Sequence, residues 1–557
     1  MNEIEGIANL TRRTAGSDAR AQNVAAGTAL SDLVRSTLGP NGRDKMLVGN
    51  GTVVVTNDGA SIVDRVTIDS PAARLVAGVA RAQSGELGDG STAAIVLAGA
   101  LLAEAESLVE DGVHPTSVIA GYHEAATRVG QVLDEVATTP VDIEAARRSL
   151  VETAITGRWD EARTTFLADL TARAYRAARH GDAVRLENVT VHGVPGAATT
   201  ASELIDGLVV DTDASSTSLA DIPAPAPRRI RDARIAVVDD ELTIDSPKSV
   251  TRYTVADATE LERTRTFERD EYRRFVETLT THDVDVLFCQ KSVDDRLRTE
   301  LGRAGVLVFE RTRQDEVHKL GRATGARPVM RLDELDAAAV GNADDVERVT
   351  LGGGAFVIVR SASSSQVSLL LRGGPSHVVD ETERIVVDAL SLLQTFDARP
   401  RLVPGGGACE VTLARDLRRW GRGVGGRESL AVDAFADALE TIPRTLARNA
   451  GHDPIDALLE LRHRHADGET HTGLDVEADQ FGDMVARDVV EPVRLKDRVV
   501  ANATDAATLV LRIDGIVETA GNGSGGGGHH HDHEHDHSHA GGGFRSDPHG
   551  YPWAISH

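Results

Sequence analysis

Cysteine and lysine are scarce in this chain of 557 residues, and aromatic side chains make up only 3% of it. Its two cysteines, Cys289 and Cys409, lie far apart and exclude the disulfide framework of a small secreted domain, so a reducing cytoplasm fits best. Only five residues are lysine, and a surplus of carboxylates with little lysine is typical of proteins kept soluble at high salt. Compositional drift in a GC-rich genome is the alternative explanation.

Positive charge is also in deficit. The 60 basic and 86 acidic residues leave a formal net charge of -26, which repels nucleic-acid phosphates and anionic membrane surfaces. The first residues lack the basic start and continuous apolar stretch of a signal peptide, and we find no run of about 18 apolar residues. We therefore expect a cytoplasmic protein with no nucleic-acid partner and no membrane partner.

Two textures alternate along the chain, which is too long for one core because single cores stop growing near roughly 250 to 300 residues. Apolar residues recur at helical spacing in residues 20–38 and 71–140, and this texture returns after about 366. From about 205, short strand runs alternate with helical stretches. The middle is therefore predicted to be an insertion into a helical domain built from both chain ends. Within it, the charged residues 245–283 are a candidate protruding arm.

The end of the chain, residues 521–557, has a composition of its own. Seven histidines stand between positions 529 and 539, interleaved with aspartate and glutamate and flanked by glycine runs. Nothing in this segment can bury a core, so we predict disorder. The imidazoles could bind a transition metal such as Ni²⁺, Zn²⁺ or Cu²⁺, and a solubilising tail with incidental metal affinity is the alternative.

Three loops punctuated by glycine, residues 38–42, 57–59 and 88–92, are the candidates for chemistry. The last directly precedes an apolar helix, so its free backbone N–H groups and the helix dipole favour a phosphate. Asp89 would then supply an oxygen ligand to the Mg²⁺ that accompanies a triphosphate. However, such a loop is also an ordinary helix cap, and no P-loop Gly-Lys-Ser/Thr follows it. Taken alone, the loop leaves both interpretations open.

A colinear series of motifs runs through both textures: Arg35–Val48, Val55–Gly59, Gly88–Thr92, Val96–Gly99, His114–Pro115, Cys289–Lys291, Gly321–Gly325, Asp388–Leu390, Val403–Ala408, Ile442–Leu446, Asn449–Gly451, Asp453–Asp456, Glu491–Pro492 and Leu511–Asp514. In this order the motifs resemble those of the group II chaperonins, which comprise the archaeal thermosome and the eukaryotic cytosolic chaperonin. The resemblance covers roughly residues 8–518 and is strongest in the two terminal segments.

The resemblance implies a multidomain chaperonin fold. Its parts would be a mainly α-helical equatorial domain (1–142 and 402–520), a small α/β intermediate domain (143–210 and 366–401) and an α/β apical domain (211–365). A helical protrusion that serves as a built-in lid is expected near 245–275, and the disordered tail occupies 521–557.

The resemblance also implies roles for individual residues. Asp388 matches the family's catalytic aspartate, expected as an unpaired carboxylate that orients or deprotonates the attacking water. Asp58 would face the same phosphates, although an Asn-Asp-Gly turn also uses its carboxylate to stabilise itself. Glu491 would accept ribose hydroxyl protons. The expected contacts to nucleotide and Mg²⁺ are Gly39, Pro40, Asp89, Gly90, Ser91, Thr92, Ala93, Gly157, Arg158, Gly406 and Glu491, with Asp89 as the metal ligand.

Three positions depart from the family pattern. Asn41 stands where relatives usually carry a lysine, and Arg158 stands where they carry a nucleotide-sensing lysine. Residues 84–86 replace a more acidic pair. Arginine keeps the charge but not the geometry of a lysine point charge, so sensing of the γ-phosphate could be retuned. None of these changes removes a group that hydrolysis requires.

The function implied is that of an ATP-dependent chaperonin subunit that encloses non-native polypeptides in a double ring of its own and paralogous subunits. Its cofactors would be ATP and Mg²⁺, with K⁺ as a further candidate. Two alternatives stay open. One is a divergent, slowly hydrolysing ring subunit, which Asn41 and Arg158 favour, and the other is an enzyme that phosphorylates a small molecule, for which the inserted segment offers no catalytic cluster.

Overall fold

The computed structural model of the chain describes residues 13–15, 17–49, 52–181, 183–212, 228–243, 258–362, 364 and 366–517. Residues 15–515 form one compact unit. The first part of the predicted protruding arm, 245–257, and the predicted histidine-rich tail, 521–557, lie outside the described residues.

Helices occupy most of the two terminal parts. In chain order the helices are α1 Ser17–Arg35, α2 Gly59–Arg65, α3 Pro71–Leu87, α4 Ser91–Glu110, α5 Pro115–Val136, α6 Ile143–Ile155, α7 Glu161–Ala177, α8 Ala258–Thr281, α9 Asp295–Arg303, α10 Gln314–Thr324, α11 Ser376–Ala398, α12 Ala408–Gly421, α13 Glu428–Leu439, α14 Thr441–Asn449, α15 Pro454–Ala466 and α16 Val493–Leu511. Several begin with a capping side chain followed by proline, as Ser70 and Pro71 do for α3, because proline at the first helical position costs no hydrogen bond.

The core of the helical body is shared between the two ends of the chain. Helix α4 packs against α1 and α3 from the N-terminal part and against α13 and α16 from the C-terminal part. Leu97 and Leu101 of α4 are fully buried in one apolar cluster with Phe435 and Val510. The helical domain predicted from both chain ends is thus held by a single core.

Helix α4 also corrects one expectation. By length and composition it is apolar enough to cross a membrane, so the expected absence of such a stretch is wrong. More than half of its apolar window is buried inside the protein, and its neighbours cover it as a core helix. A helix that is apolar on all sides belongs either in a core or in a bilayer, and here the packing supplies the core.

Strands form one large sheet and several two-stranded pairs. In chain order the strands are β1 Arg13–Ala15, β2 Lys45–Gly49, β3 Thr52–Thr56, β4 Arg179–His180, β5 Ala183–Val184, β6 Val189–Pro195, β7 Glu203–Asp211, β8 Arg229–Val238, β9 Val286–Cys289, β10 Leu307–Phe309, β11 Gly341–Leu351, β12 Gly354–Arg360, β13 Val367–Gly373, β14 Leu402–Pro404, β15 Thr472–Asp475, β16 Gln480–Asp483, β17 Val490–Pro492 and β18 Gly515–Val517. The large sheet has the order β10-β9-β8-β11-β12-β7-β13-β6.

Strand β7 joins the two halves of this sheet. Residues 203–206 pair with β13, whereas residues 207–211 pair with β12. The change of partner falls at Gly207, whose φ is 136° and where a side chain would overlap the carbonyl oxygen of Val359. Glycine is required there because the backbone of β12 approaches too closely for a Cβ.

Helix α8 covers the described part of the predicted arm. Its last turns pack on the sheet, where Leu279 is buried and Tyr272, Phe275 and Val276 contact the same apolar cluster. Helix α8 therefore begins with the highly charged sequence of residues 258–271 and ends with apolar side chains that anchor it in the core.

Candidate functional site

A cavity of about 440 Å³ lies where the N-terminal and C-terminal segments of the helical body meet. Of the residues predicted from the sequence, those on its wall are Gly39, Pro40, Asp58, Asp89, Gly90, Ser91, Thr92, Ala93, Arg158, Gly406 and Glu491. Asp388 and Gly157 are not part of the wall, although each contacts a loop that is. Residues far apart in sequence are thus brought to one pocket.

The N-terminus of α4 opens into this cavity. Gly88 ends α3 and Gly90 begins α4, both with left-handed backbone. No side chain caps α4 at Gly90, so the amides of its first turn are left for another acceptor. A Cβ on Gly90 would lie within 3.0 Å of Val499 and Leu495, which explains why glycine is needed. An uncapped helix start of this kind suits an anion such as phosphate.

A second glycine loop lies at the other end of the cavity. Gly407 begins α12 in left-handed conformation, again without a capping side chain. The pairing of β14 with β17 places Val403 opposite Glu491. That pairing brings the loop containing Gly406 beside the carboxylate predicted to bind ribose.

Gly157, two residues after the end of α6, contacts the loop of Gly39 and Pro40. Its φ is 84°, and a Cβ there would overlap the carbonyl group of Pro40. The next residue, Arg158, donates a hydrogen bond to the Asn57 side chain, and its Nη1 lies 3.6 Å from Glu381 Oε1. The predicted phosphate-side loop and the predicted sensing residue are therefore neighbours.

Asp58 both caps a helix and faces the cavity. Its Oδ2 accepts a hydrogen bond of 2.7 Å from the Ser61 amide, and its Oδ1 accepts one of 2.9 Å from the Ser91 hydroxyl. Burial favours the neutral acid, yet the Arg384 charge and these hydrogen bonds keep the pKa of Asp58 below its ordinary value. The turn-stabilising role left open by the sequence is therefore present.

Asp89 is held by the loop that carries it. Its Oδ1 accepts a hydrogen bond of 2.6 Å from the Gly90 amide. Its backbone carbonyl accepts one of 3.1 Å from Gln83, whose side chain is in turn fixed by Asn502. Burial raises the pKa of Asp89 above its ordinary value. A divalent cation beside this carboxylate would favour its charged form, so the donor fits Mg²⁺.

Asp388 is not the unpaired carboxylate that we expected. Arg384, one turn earlier on α11, donates a hydrogen bond of 2.6 Å to its Oδ2. Burial raises the pKa of Asp388 to about 8, opposed by Arg384 and assisted by the charges of Asp58 and Asp89. The backbone of Asp388 contacts Gly88, because a Cβ there would lie 2.6 Å from the Asp388 carbonyl oxygen. This contact packs α11 against the Asp89 loop.

Sequence reasoning also missed a cluster of charged side chains around Glu491, at the end of the cavity predicted to bind the nucleoside. Lys496 Nζ lies 2.6 Å from Glu410 Oε1 and 2.6 Å from Glu491 Oε2. Burial raises the pKa of Glu491, and the Lys496 charge opposes that shift. The second oxygen of Glu410 is buried without a hydrogen-bond partner. Lysine is rarely buried this deeply in a protein. The small number of lysines in the sequence was the signal that could have drawn attention to Lys496.

Comparison with known proteins gives one consistent result. The model of the TCP-1/cpn60 chaperonin family matches residues 30–520. The chain is 40% identical to the thermosome subunit alpha of Halobacterium salinarum over 513 residues, which is 91% of this chain and 90% of that protein. It is 39% identical to thermosome subunit 1 of Haloferax volcanii, over 91% of this chain and 90% of that protein. Thermosome subunit alpha of Thermoplasma acidophilum is 36% identical, over 91% and 93% respectively.

Proposed function

Because the chain belongs to the TCP-1/cpn60 chaperonin family, we propose that it is an ATP-hydrolysing subunit of a ring that encloses non-native polypeptides. Family membership makes it a chaperonin subunit that acts in protein folding, and the multidomain chaperonin fold predicted from the motifs is confirmed. The observation that carries the finer proposal is the meeting of the uncapped start of α4 with Asp89 and Asp58 in one cavity.

At the phosphate end, the free amides of Ser91, Thr92 and Ala93 would hold phosphate oxygens with the help of the helix dipole. Bound at Asp89, Mg²⁺ would supply neutralisation of the phosphate charge. Asp388 would orient the attacking water and accept its proton, for which its carboxylate must be ionised.

At the nucleoside end, Glu491 would accept hydrogen bonds from ribose hydroxyls. Lys496 supports this role because its charge opposes the effect of burial and favours the ionised form of Glu491. The loop of Gly406 would lie against the nucleoside, since glycine with a φ of 60° lets the backbone approach closely.

The proposal places domain boundaries near residues 143, 211, 366 and 402. It is supported by the sheet, in which β7 changes partner at residue 207. Nucleotide would act on these boundaries through Gly157, which contacts the phosphate-side loop, and through Arg158, which donates a hydrogen bond to Asn57 beside Asp58. A ligand that binds one arrangement of two packed segments better than another shifts the population between them. We propose that closure over the client follows from this shift.

The partners proposed are further copies of the chain, paralogous subunits and non-native polypeptides, all in the cytoplasm. Haloferax volcanii has relatives named thermosome subunit 1 and thermosome subunit 3, at 39% and 37% identity, so one organism holds several such subunits. The family assignment gives no support to phosphorylation of a small molecule. Slow hydrolysis through Asn41 and Arg158 stays a prediction, as does transition-metal binding by the histidine-rich tail.

The proposed function is tested by refolding a chemically denatured client with the purified protein in high-salt buffer. We expect stacked rings in electron microscopy and recovery of client activity only when both ATP and Mg²⁺ are present. Recovery that is equally complete without nucleotide would contradict the ATP-driven part of the proposal. Particles other than stacked rings would contradict the assembly.

A further inference from the structure

Arg384 stands between three carboxylates, one of which, Asp58, lines the cavity. Its Nη1 donates to Asp388 Oδ2 at 2.6 Å and lies 3.9 Å from Asp58 Oδ2. The rest of the guanidinium is bound to Glu381, with Nε at 3.0 Å from Oε2 and Nη2 at 2.7 Å from Oε1. One planar group thus engages three carboxylates from a fixed position.

The position of Arg384 is fixed from outside its own helix as well. Glu381 Oε1 is 3.5 Å from the Thr56 hydroxyl, next to the turn that carries Asp58. The same Oε1 lies 3.6 Å from Arg158 Nη1. A row of alternating charges therefore runs from Asp388 through Arg384 and Glu381 to Arg158. Such a network holds the guanidinium where a flexible surface arginine would not stay.

Asp89 is treated differently. The charges of Asp58, Asp89 and Asp388 are close enough to affect one another's ionisation. Arg384 contacts Asp58 and Asp388, whereas the Asp89 carboxylate accepts the amide of Gly90. Clusters of carboxylates around a phosphoryl group in other enzymes are often neutralised by two divalent cations. Here the permanently charged Arg384 already pairs with two of the three carboxylates, Asp58 and Asp388.

We propose that Arg384 is a positioning residue that takes the place of a second divalent cation. It keeps Asp58 and Asp388 from acting as metal ligands, so that Asp89 is left to hold a single metal ion. Arginine suits this task because it does not lose its proton and cannot exchange with solvent ions. The inference rests on the proposed nucleotide site, whose metal Asp89 would bind.

The direct test titrates Mn²⁺ alone into nucleotide-free protein and counts free Mn²⁺ by electron paramagnetic resonance. Removing the positive charge in Arg384→Gln exposes two carboxylates, so we expect Mn²⁺ to bind roughly tenfold more tightly than to wild type. The matched control is Arg147→Gln. It breaks the ion pair between Arg147 Nη2 and Asp397 Oδ2, which are 2.9 Å apart, and Asp397 lies on α11 as Arg384 does. The control should bind Mn²⁺ as wild type does, and an Arg384→Gln variant with wild-type affinity would overturn the proposal.

Arg384→Lys keeps the proposal testable if the glutamine variant fails to assemble. A lysine has one ammonium group and cannot bind Glu381 through two nitrogens while reaching Asp388. We expect several-fold tighter Mn²⁺ binding than in wild type, and unchanged binding in an assembled lysine variant would also overturn the proposal. Because these titrations contain no nucleotide, they are independent of whether the protein hydrolyses ATP.

A kinetic readout separates positioning from general stability. In Arg384→Gln we expect kcat for ATP hydrolysis to fall at least tenfold while KM for ATP changes only a few-fold, because phosphate binding depends mainly on the α4 amides. Arg384→Lys should recover part of kcat. Equal losses in Arg384→Gln and Arg147→Gln would count against positioning, whereas a wild-type protein without ATPase activity would count against the proposed function.

Discussion

The two ends of the cavity each hold their carboxylates with one cation, yet the cations differ in kind and in depth. At the nucleoside end, Lys496 lies between Glu410 and Glu491 with a side chain only 10% exposed. At the phosphate end, Arg384 and Asp388 retain 21% and 29% exposure. The compact ammonium group of Lys496 pairs with two carboxylates at one end. The planar guanidinium of Arg384, which is more exposed, pairs with carboxylates at the other.

The difference in burial indicates which ion pairs stay intact when a ligand binds. The ion pair of Lys496 with Glu410 has side chains only 10% and 7% exposed. Because it has lost much solvation it is costly to break, and it serves as a fixed support. Partly exposed carboxylates cost less to rearrange and can exchange a protein partner for a ligand. We therefore expect mutations at the nucleoside end to change stability, and mutations at the phosphate end to change catalysis.

The largest stability effect is expected for Lys496→Met. It leaves the buried Glu410 and the partly exposed Glu491 without their cation, which should lower the free energy of unfolding by about 3–5 kcal/mol at neutral pH. The loss should shrink as the pH falls, because Glu491, whose pKa is raised by burial, can then become neutral. Thermal unfolding across pH measures this, with Lys291→Met as the control.

Lys291 pairs with Asp240 at 2.6 Å on the surface, so Lys291→Met should leave the unfolding midpoint unchanged. A Lys496→Met protein with a wild-type midpoint at neutral pH would remove the distinction between the two ends.

Gly157→Ala is expected to weaken ATP binding about tenfold or more. The added Cβ would overlap the Pro40 carbonyl group and strain a left-handed backbone, so the phosphate-side loop must shift. Gly305→Ala is the matched control, since Gly305 has a φ of 89° but nothing within 4 Å of its Cβ position. Calorimetric titration with ATP should show wild-type affinity in the control. Equal losses of ATP affinity in both variants would mean that backbone strain, and not the contact with Pro40, causes the effect.

The pH dependence of hydrolysis should report the phosphate end. As a base Asp388 acts only when ionised, and its pKa is raised by burial to about 8. The value of kcat/KM, which reports the free protein, should therefore fall about tenfold per pH unit below 8 and level off above it. Steady-state assays between pH 6 and 9 measure this decrease. A kcat/KM that does not change with pH would show that Asp388 is not the base that accepts the proton.

The smallest effect is expected for Glu491→Gln. The amide keeps one hydrogen-bond acceptor for ribose, so we expect KM for ATP to rise about fivefold with kcat unchanged. The acid limb of kcat/KM should also stay in place, because Asp388 packs behind the Asp89 loop and has no contact with Glu491. A large drop in kcat in this variant would contradict the division between nucleoside and phosphate ends.

Much of this molecule could be predicted from local patterns. Helical spacing and the glycine loops before α4 and α12 depend on neighbours in sequence, and the motif series supplied the family and its fold. The Arg384 pair with Asp388 was also accessible, because residues four apart on a helix face each other, yet Asp388 was expected to be unpaired.

Other features depend on contacts between distant segments and left no local signal. Glu410 and Lys496 are 86 residues apart, and Gly157 contacts Pro40 across the domain boundary proposed near 143. The apolar composition of α4 is visible in the sequence, but only the packed structure shows which helices cover it. The roles of the individual site residues stay predictions until variants are measured.

We propose that ATP bound in this cavity is hydrolysed by a water molecule that Asp388 activates from beside the Asp89 loop. Phosphate release and ATP binding should be measured side by side for wild type and Asp388→Asn in high-salt buffer. We expect the variant to bind ATP within a few-fold of wild type while phosphate release falls by roughly 10²–10⁴-fold. Unchanged phosphate release in Asp388→Asn would contradict it.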